Sequence, residues 1–162
     1  MTDKLISILT FITGLGCGLI AGVFFAFSAF VMKALARLSP AQGIAAMQSI
    51  NVAVINPVFL AVFLGTASGC AFLAISAVFR WEKPGAAYLL LGSALYLVGT
   101  VLVTFFFNVP RNNSLASVDP TSSDGAQLWV TYVSSWTAWN HVRAMAATGA
   151  AALLTIDLCR AN

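Results

Sequence analysis

The sequence is poor in charged residues. They make up 8% of the 162 residues, whereas hydrophobic residues make up 60%. An ordinary globular protein has roughly 25% charged residues. A soluble domain of this length could not cover so much apolar side chain with polar surface, but lipid removes that need. The composition therefore excludes a soluble domain and predicts a single integral membrane domain over residues 1–162.

The basic residues are too few and too dispersed for a nucleic-acid partner. The net charge is +3, from eight Lys and Arg against five Asp and Glu. No cluster or stripe of Lys and Arg with interleaved aromatic residues is present, as contact with phosphates would require. The lipid bilayer is the expected partner instead.

Metal ligands are scarce as well. The chain has one histidine, His141, and its three cysteines lie singly inside apolar runs. Catalytic zinc or non-haem iron needs two or more His or carboxylate ligands. No phosphate loop, dinucleotide fingerprint or Ser-His-Asp spacing is present either. We therefore predict no metal site and no cofactor.

Four long apolar runs dominate what remains, at 5–32, 58–79, 86–107 and 139–158. Each reaches the roughly 20 residues that a helix needs to cross a bilayer. The runs predict an all-α integral membrane four-helix bundle. Ser39 and Pro40 predict the start of a short interfacial helix over 41–51, and the Trp- and Tyr-bearing segment 126–136 predicts another. Pro110 is expected to end the third helix, with a long loop over 113–125 before the fourth.

Glycines recur every four residues in the first two runs, as Gly14, Gly18 and Gly22 and as Gly65 and Gly69. Small residues at this spacing let two helices approach closely in a membrane. Such contacts form within one chain or between chains, so a homo-oligomer is also expected.

An even number of spans places both termini on one side of the membrane. Lys4, Arg80, Lys83 and Arg160 lie on that side, and Lys33, Arg37, Arg111 and Arg143 lie on the other. If Arg111 and Arg143 serve function, the remaining bias places the termini in the cytoplasm. The expected location is a bacterial inner membrane.

The side away from the termini collects the polar and aromatic residues. The stretch 108–143 contains the only histidine and three of the four tryptophans. Threading the spans brings it to the same membrane face as residues 41–56. The converging residues are Gln48, Asn51, Asn56, Asn108, Arg111, Asn112, Trp136, Trp139, Asn140, His141 and Arg143. An apolar bundle with such polar groups at one end is typical of a small-molecule site.

Two interpretations of these residues stay open. His141 has the chemistry of a general base, and Arg143, deep in the fourth apolar run, could stabilise an oxyanion together with Arg111 and the asparagines. Trp, His, Asn and Arg at the end of a span also commonly serve as interface anchors and helix caps. Helical spacing places His141 roughly 200° from Arg143, so one pocket can use both only if it wraps around the helix.

The chain resembles the anthrone oxygenase-like family of small membrane proteins. The resemblance rests on GVFFAFSAFVMKAL, MQSINVAVINPVFL, NVPRNNSL and a Trp followed by SSWTAWNHVRAMAA. It implies a four-helix membrane bundle and, as in fungal polyketide-pathway members, oxidation of an anthrone to an anthraquinone by O2 without an evident cofactor. The residues that carry over are Asn108, Pro110, Asn112, Trp136, Trp139, Asn140, His141 and Arg143.

The hypothesis is therefore an oxygenase that acts on a hydrophobic anthrone-like or phenolic aromatic molecule by base-assisted anion formation. His141 and Arg143 are its expected catalytic residues. The expected substrate-binding residues are Asn56, Asn108, Arg111, Asn112, Trp136, Trp139 and Asn140. The alternative is a non-enzymatic membrane module that binds a hydrophobic ligand or a partner protein. A transporter subunit is less favoured, because only Asp157, near the opposite face, could pair with Arg143 as an intramembrane acid.

Overall fold

Five helices make up the fold of the computed structural model, which describes residues 3–161. They are α1 (Asp3–Leu35), α2 (Pro40–Ala53), α3 (Pro57–Phe79), α4 (Ala86–Ala116) and α5 (Ser123–Ala161). No strand occurs in that range. The helices α1, α3, α4 and α5 are each long and apolar enough to cross a membrane. The predicted all-α membrane fold is confirmed.

The four long helices pack as a ring around one core. Helix α5 packs against α1 and α4, and α3 packs against the same two helices. The core between them is apolar, with Cys17, Ile20, Leu73, Tyr96 and Leu154 almost fully buried. Because each helix presents an apolar side to its neighbours and another to lipid, the fold needs no polar outer surface.

The start of α1 and the end of α5 lie together at one end of the bundle, which we call the terminal end. Arg80, in the turn between α3 and α4, forms an ion pair with Asp3, and Lys83 Nζ lies 3.7 Å from Asp3 Oδ2. Arg160, near the end of α5, donates a hydrogen bond to the Tyr88 hydroxyl at 3.4 Å. The opposite end, formed by α2 and the connection between α4 and α5, is called the loop end.

At the loop end, α2 covers a second apolar cluster. Ser39 precedes Pro40, the first residue of α2, as predicted for a helix start. Gln48 of α2 donates hydrogen bonds to the carbonyls of Leu115 and Val118, at 2.8 and 3.1 Å. The cluster contains Met32, Leu35, Ile44, Met47, Leu115, Trp129, Tyr132 and Trp136.

Two details of α4 and α5 differ from the expectations. Helix α4 continues through Pro110 to Ala116, because a π-helical turn over Thr104–Asn108 precedes the proline and shifts the backbone hydrogen bonds by one residue. The Arg111 guanidinium also donates to the Phe107 carbonyl at 2.7 Å. Helix α5 is continuous from Ser123, so the expected interfacial helix 126–136 and the fourth span are one helix; no proline interrupts them.

The connection between α4 and α5 is consequently only residues 117–122, shorter than the loop expected over 113–125. Asp119 orders it by accepting hydrogen bonds from the Thr121 N–H and hydroxyl, both at 2.8 Å. These two donors hold the pKa of Asp119 below its usual value.

Of the glycines that the spacing suggested, only Gly69 serves the close contact between α1 and α3. A Cβ at Gly18 or Gly22 would meet no other atom within 4 Å, so both face open space. A Cβ at Gly16 would instead overlap the Thr66 side chain, and one at Gly69 would overlap Thr13. Gly16 and Gly69 therefore permit the close approach.

Candidate functional site

Arg143 is the only positive charge in the described range that is almost fully buried. It is 4% exposed. It lies on α5, 14 residues before Asp157, which is near the terminal end of that helix. At the rise of an α-helix the two residues are about 21 Å apart. The hydrocarbon core of a bilayer is about 30 Å thick. Arg143 therefore lies within the span rather than at the end of the helix.

Two aromatic rings cover the Arg143 guanidinium. Its central carbon is 4.1 Å from the centre of the Phe24 ring on α1 and 5.1 Å from that of the Trp136 ring on α5. Both distances are within the range of cation–π attraction, which partly replaces the lost hydration of the cation.

Asn140 fixes the orientation of the guanidinium. Its Oδ1 accepts a hydrogen bond from Arg143 Nη2 at 2.7 Å. Its Nδ2 donates to the Phe24 carbonyl and to Ser28 Oγ, both at 2.7 Å. Thr104 on α4 accepts a further bond from Arg143 Nη1 at 3.3 Å. Arg143 is thus held between α1, α4 and α5.

No carboxylate of the described residues lies within 4.0 Å of Arg143. The ion pairs of residues 3–161 are confined to the terminal end, where Asp3 engages Arg80 and Lys83. A buried charge without a counter-ion carries a large desolvation cost, and such groups in membrane spans usually serve function. Arg143 Nε also lacks a hydrogen-bond acceptor. The Arg143 guanidinium therefore has the chemistry of an anion-binding group.

Irregular turns in two helices flank this cluster. Helix α1 has a π-helical turn at Phe27–Val31, which begins three residues after Phe24, and α4 has two at Leu95–Leu102 and Thr104–Asn108. A π-turn shifts the helical hydrogen bonds by one residue and leaves a nearby carbonyl for another donor. Such turns are frequent at functional sites. The hydrogen bond that the Phe24 carbonyl accepts from Asn140 Nδ2 is of this kind, from a donor outside the helix.

A second polar layer lies between Arg143 and the loop end. Asn112 Oδ1 accepts hydrogen bonds from the Tyr132 hydroxyl at 2.9 Å and from Trp136 Nε1 at 2.8 Å. Asn108 Nδ2 donates to the Trp136 carbonyl at 3.3 Å. Asn108 Oδ1 is buried without a donor. Asn108, with its unmatched acceptor, and Arg143, with its unmatched Nε donor, thus both contact Trp136, and a ligand could satisfy both groups.

The structure brings together five of the nine predicted site residues: Asn108, Asn112, Trp136, Asn140 and Arg143. His141 is not among them. It is exposed on α5, whereas Arg143 is buried. The 100° rotation per residue of an α-helix turns the two side chains to different sides.

Three other predicted residues have local partners. Asn56 caps α3, accepting from the Phe59 N–H at 3.0 Å and donating to the Ala53 carbonyl at 2.9 Å. Arg111 donates to Ser135 Oγ at 3.2 Å as well as to Phe107. Trp139 stacks on the Phe107 ring, with 3.6 Å between the ring centres. These contacts hold helix ends and the seam between α4 and α5.

Sequence reasoning missed Phe24, Ser28 and Thr104. The phenylalanines of the first run looked like ordinary packing residues, and nothing local marks Phe24 among them. The available signal was a hydroxyl residue inside an apolar run, as at Ser28, Thr100 and Thr104. Over residues 3–161, no three His, Cys, Asp or Glu side chains come together as a metal site would need.

Comparison with known proteins identifies the family. The anthrone oxygenase family model matches residues 52–153 of the 162. The match includes Asn108, Asn112, Trp136, Asn140 and Arg143. No curated protein and no solved structure matches the chain. With most of its length matched, this chain belongs to the anthrone oxygenase family.

Proposed function

We propose that this protein is a membrane-embedded oxygenase that oxidises a hydrophobic anthrone-like or phenolic aromatic molecule with O2. The observation that carries the proposal is Arg143, a buried cation with two aromatic neighbours and, among residues 3–161, no carboxylate partner. An aromatic anion has the charge and the shape that complement it.

An anthrone suits such a site, because loss of one proton from its methylene carbon gives an aromatic phenolate-type anion. That anion is electron-rich enough to transfer an electron to O2, and the resulting radical pair joins to form a C–O bond. The peroxide takes up a proton and loses water to leave a carbonyl. One O2 is consumed, one of its oxygen atoms enters the quinone, and the other leaves as water, so no further reductant is needed.

Arg143 contributes by stabilising the anion. Its positive charge stabilises the substrate anion and so lowers the pKa of the anthrone. This effect is large because the surroundings have a low dielectric constant. Asn140 and Thr104 hold the guanidinium in place, as positioning residues. An incoming aromatic molecule would replace one of the two rings on the guanidinium, either Phe24 or Trp136.

In the proposed reaction His141 does not act on a substrate bound at Arg143. Its exposure on the outer side of α5 leaves it out of reach of an anion bound at the guanidinium. With the substrate anion stabilised by Arg143, water can accept the proton and return it to the peroxide.

The alternative of a non-enzymatic binding module has one observation in its favour. Asn108, Trp136, Asn140 and Arg143 are each 5% exposed or less, and no base lies among them. A closed cluster of this kind also suits a module that holds an aromatic anion without reaction. The two functions differ in whether bound ligand consumes O2.

We also propose that the termini lie in the cytoplasm of a bacterial inner membrane. Arg143 is buried, and Arg111 engages Phe107 and Ser135. This leaves Lys33 and Arg37 as the freely exposed basic residues of the loop end, against Lys4, Arg80, Lys83 and Arg160 at the other. The positive-inside rule then favours cytoplasmic termini.

Oxygen uptake tests the proposed oxidation. Purified protein in detergent, given a hydroxyanthrone, should consume O2 and form the anthraquinone in a ratio near one to one, without accumulating hydrogen peroxide. With ¹⁸O2, one labelled atom should appear in the quinone. Tight binding of the anthrone with no uptake above the protein-free rate would contradict the oxygenase and support the binding module.

A further inference from the structure

A polar cavity lies at the terminal end, far from Arg143. Its volume is about 300 Å³, and it is bounded by the start of α1, the turn between α3 and α4, and the end of α5. This is the lower end of the range for small-molecule sites. Because the candidate spans α1, α3, α4 and α5 begin or end around the cavity, we expect it to lie at the headgroups of one lipid leaflet.

Asp157 is the unusual side chain in this cavity. It is 8% exposed, and its Oδ1 lies so close to Gly85 that a Cβ there would overlap it. Gly85 has a φ of 93°, a left-handed conformation that glycine adopts without strain. Within the described range, no residue forms a hydrogen bond or ion pair with Asp157. A nearly buried carboxyl without a donor is costly unless a ligand supplies one.

Basic residues line the outer part of the same cavity. Arg80 and Lys83 share Asp3. Among the described residues, Arg160 contacts the Tyr88 ring, 5.4 Å away, and its hydroxyl. Three positive and two negative side chains, with Asp157 counted, give a formal charge of +1. The cavity therefore offers an acceptor in its depth and phosphate-binding donors at its rim.

We propose that this cavity binds the headgroup of a primary-amine phospholipid. The ammonium group donates to Asp157, and the phosphate accepts from Arg160 and Lys83. A choline headgroup has no N–H to donate. A glycerol headgroup brings no cation to Asp157. Ile6 and Leu89, which also line the cavity, suit the glycerol and the first acyl carbons. The binding does not depend on the oxygenase activity.

Native mass spectrometry of the delipidated full chain tests this binding. The probes are phosphatidylethanolamine, its N-methylated series and phosphatidylcholine with the same acyl chains. We expect binding to weaken along the series and to be about tenfold tighter for the primary amine than for choline. Asp157→Asn should reduce this preference to less than about threefold. Arg160→Gln should weaken both lipids alike, because both carry the phosphate.

Asp124→Asn, an exposed acid at the loop end, is the matched control and should keep the preference. Equal binding of the amine and choline lipids by the unmodified chain would overturn the proposal, as would an unchanged preference in Asp157→Asn. Tighter binding of phosphatidylglycerol would also overturn it. Equally strong competition by soluble glycerophosphoethanolamine would indicate a free phosphate ester instead of a lipid. If Asp157→Asn does not fold, the methylated series on the unmodified chain decides.

Discussion

Arg143→Met should lower the rate of anthrone oxidation about 100- to 1000-fold, the usual effect of removing one group that stabilises a developing oxyanion. Methionine fills a similar volume and keeps the contact with Phe24 and Trp136 apolar. The change removes the desolvation cost of the buried charge, but it leaves the buried Asn140 Oδ1 without a donor, at a cost of about 1–3 kcal/mol. We therefore expect a large loss of activity with only a small change in thermal stability. Initial rates of O2 uptake and a melting curve in the same detergent measure the two effects.

Arg37→Met is the matched control, because Arg37 is exposed at the loop end and forms no part of the cluster. Its rate should stay within about twofold of the unmodified protein, as is usual for exposed positions. A rate for Arg143→Met above one fifth of the unmodified rate would contradict the proposed role. His141→Ala belongs in the same series. A general base contributes about 100- to 10,000-fold, so a loss of that size would restore His141 as the base.

Asn140→Leu should destabilise the fold strongly. The change removes three buried hydrogen bonds, to Arg143, Phe24 and Ser28, and leaves the guanidinium with an unmatched donor. We expect the free energy of unfolding to fall by about 3–5 kcal/mol, as is typical when one partner of a buried charge is removed. In a protein of this size the melting temperature should fall by on the order of 10 °C. The exposed Ser134, changed to alanine, is the control on α5 and should melt normally.

The double variant Asn140→Leu with Arg143→Met separates packing from electrostatics. If Asn140 is needed mainly to satisfy the guanidinium, removing the charge should recover much of the lost stability, and the two effects should not add. Additive losses would show that Asn140 acts by joining α1 to α5 through Phe24 and Ser28, independently of Arg143.

The membrane fold followed from the sequence because composition decides it. Long runs almost without charge leave no other arrangement than spanning helices. The structure around Pro110 and over 126–136 was harder to predict, because each has a local preference that the tertiary structure overrides. A proline usually ends a helix, but a π-turn before it removes the conflict here. Tryptophan and tyrosine favour the interface, but in α5 they line the apolar cluster under α2.

Of the site residues, only those on α4 and α5 could be predicted from the sequence. Asn108, Asn112, Trp136, Asn140 and Arg143 stood out as polar or aromatic residues beside an apolar run. Their partners on α1 did not, because Phe24 and Ser28 are 116 and 112 residues from Asn140 in the chain. Helical periodicity could indicate that His141 and Arg143 diverge, but not which of them faces the bundle. Burial decides that, and Arg143 is the buried one.

Whether Arg143 stabilises an aromatic oxyanion can be measured as the phenol pKa of a bound hydroxyanthraquinone, read from its visible absorbance as pH is varied. A cation in contact with a phenol lowers its pKa by about 1–3 units. We expect a pKa at least about one unit lower in the unmodified protein than in Arg143→Met. Equal values in the two proteins, each matching the value in detergent alone, would contradict it.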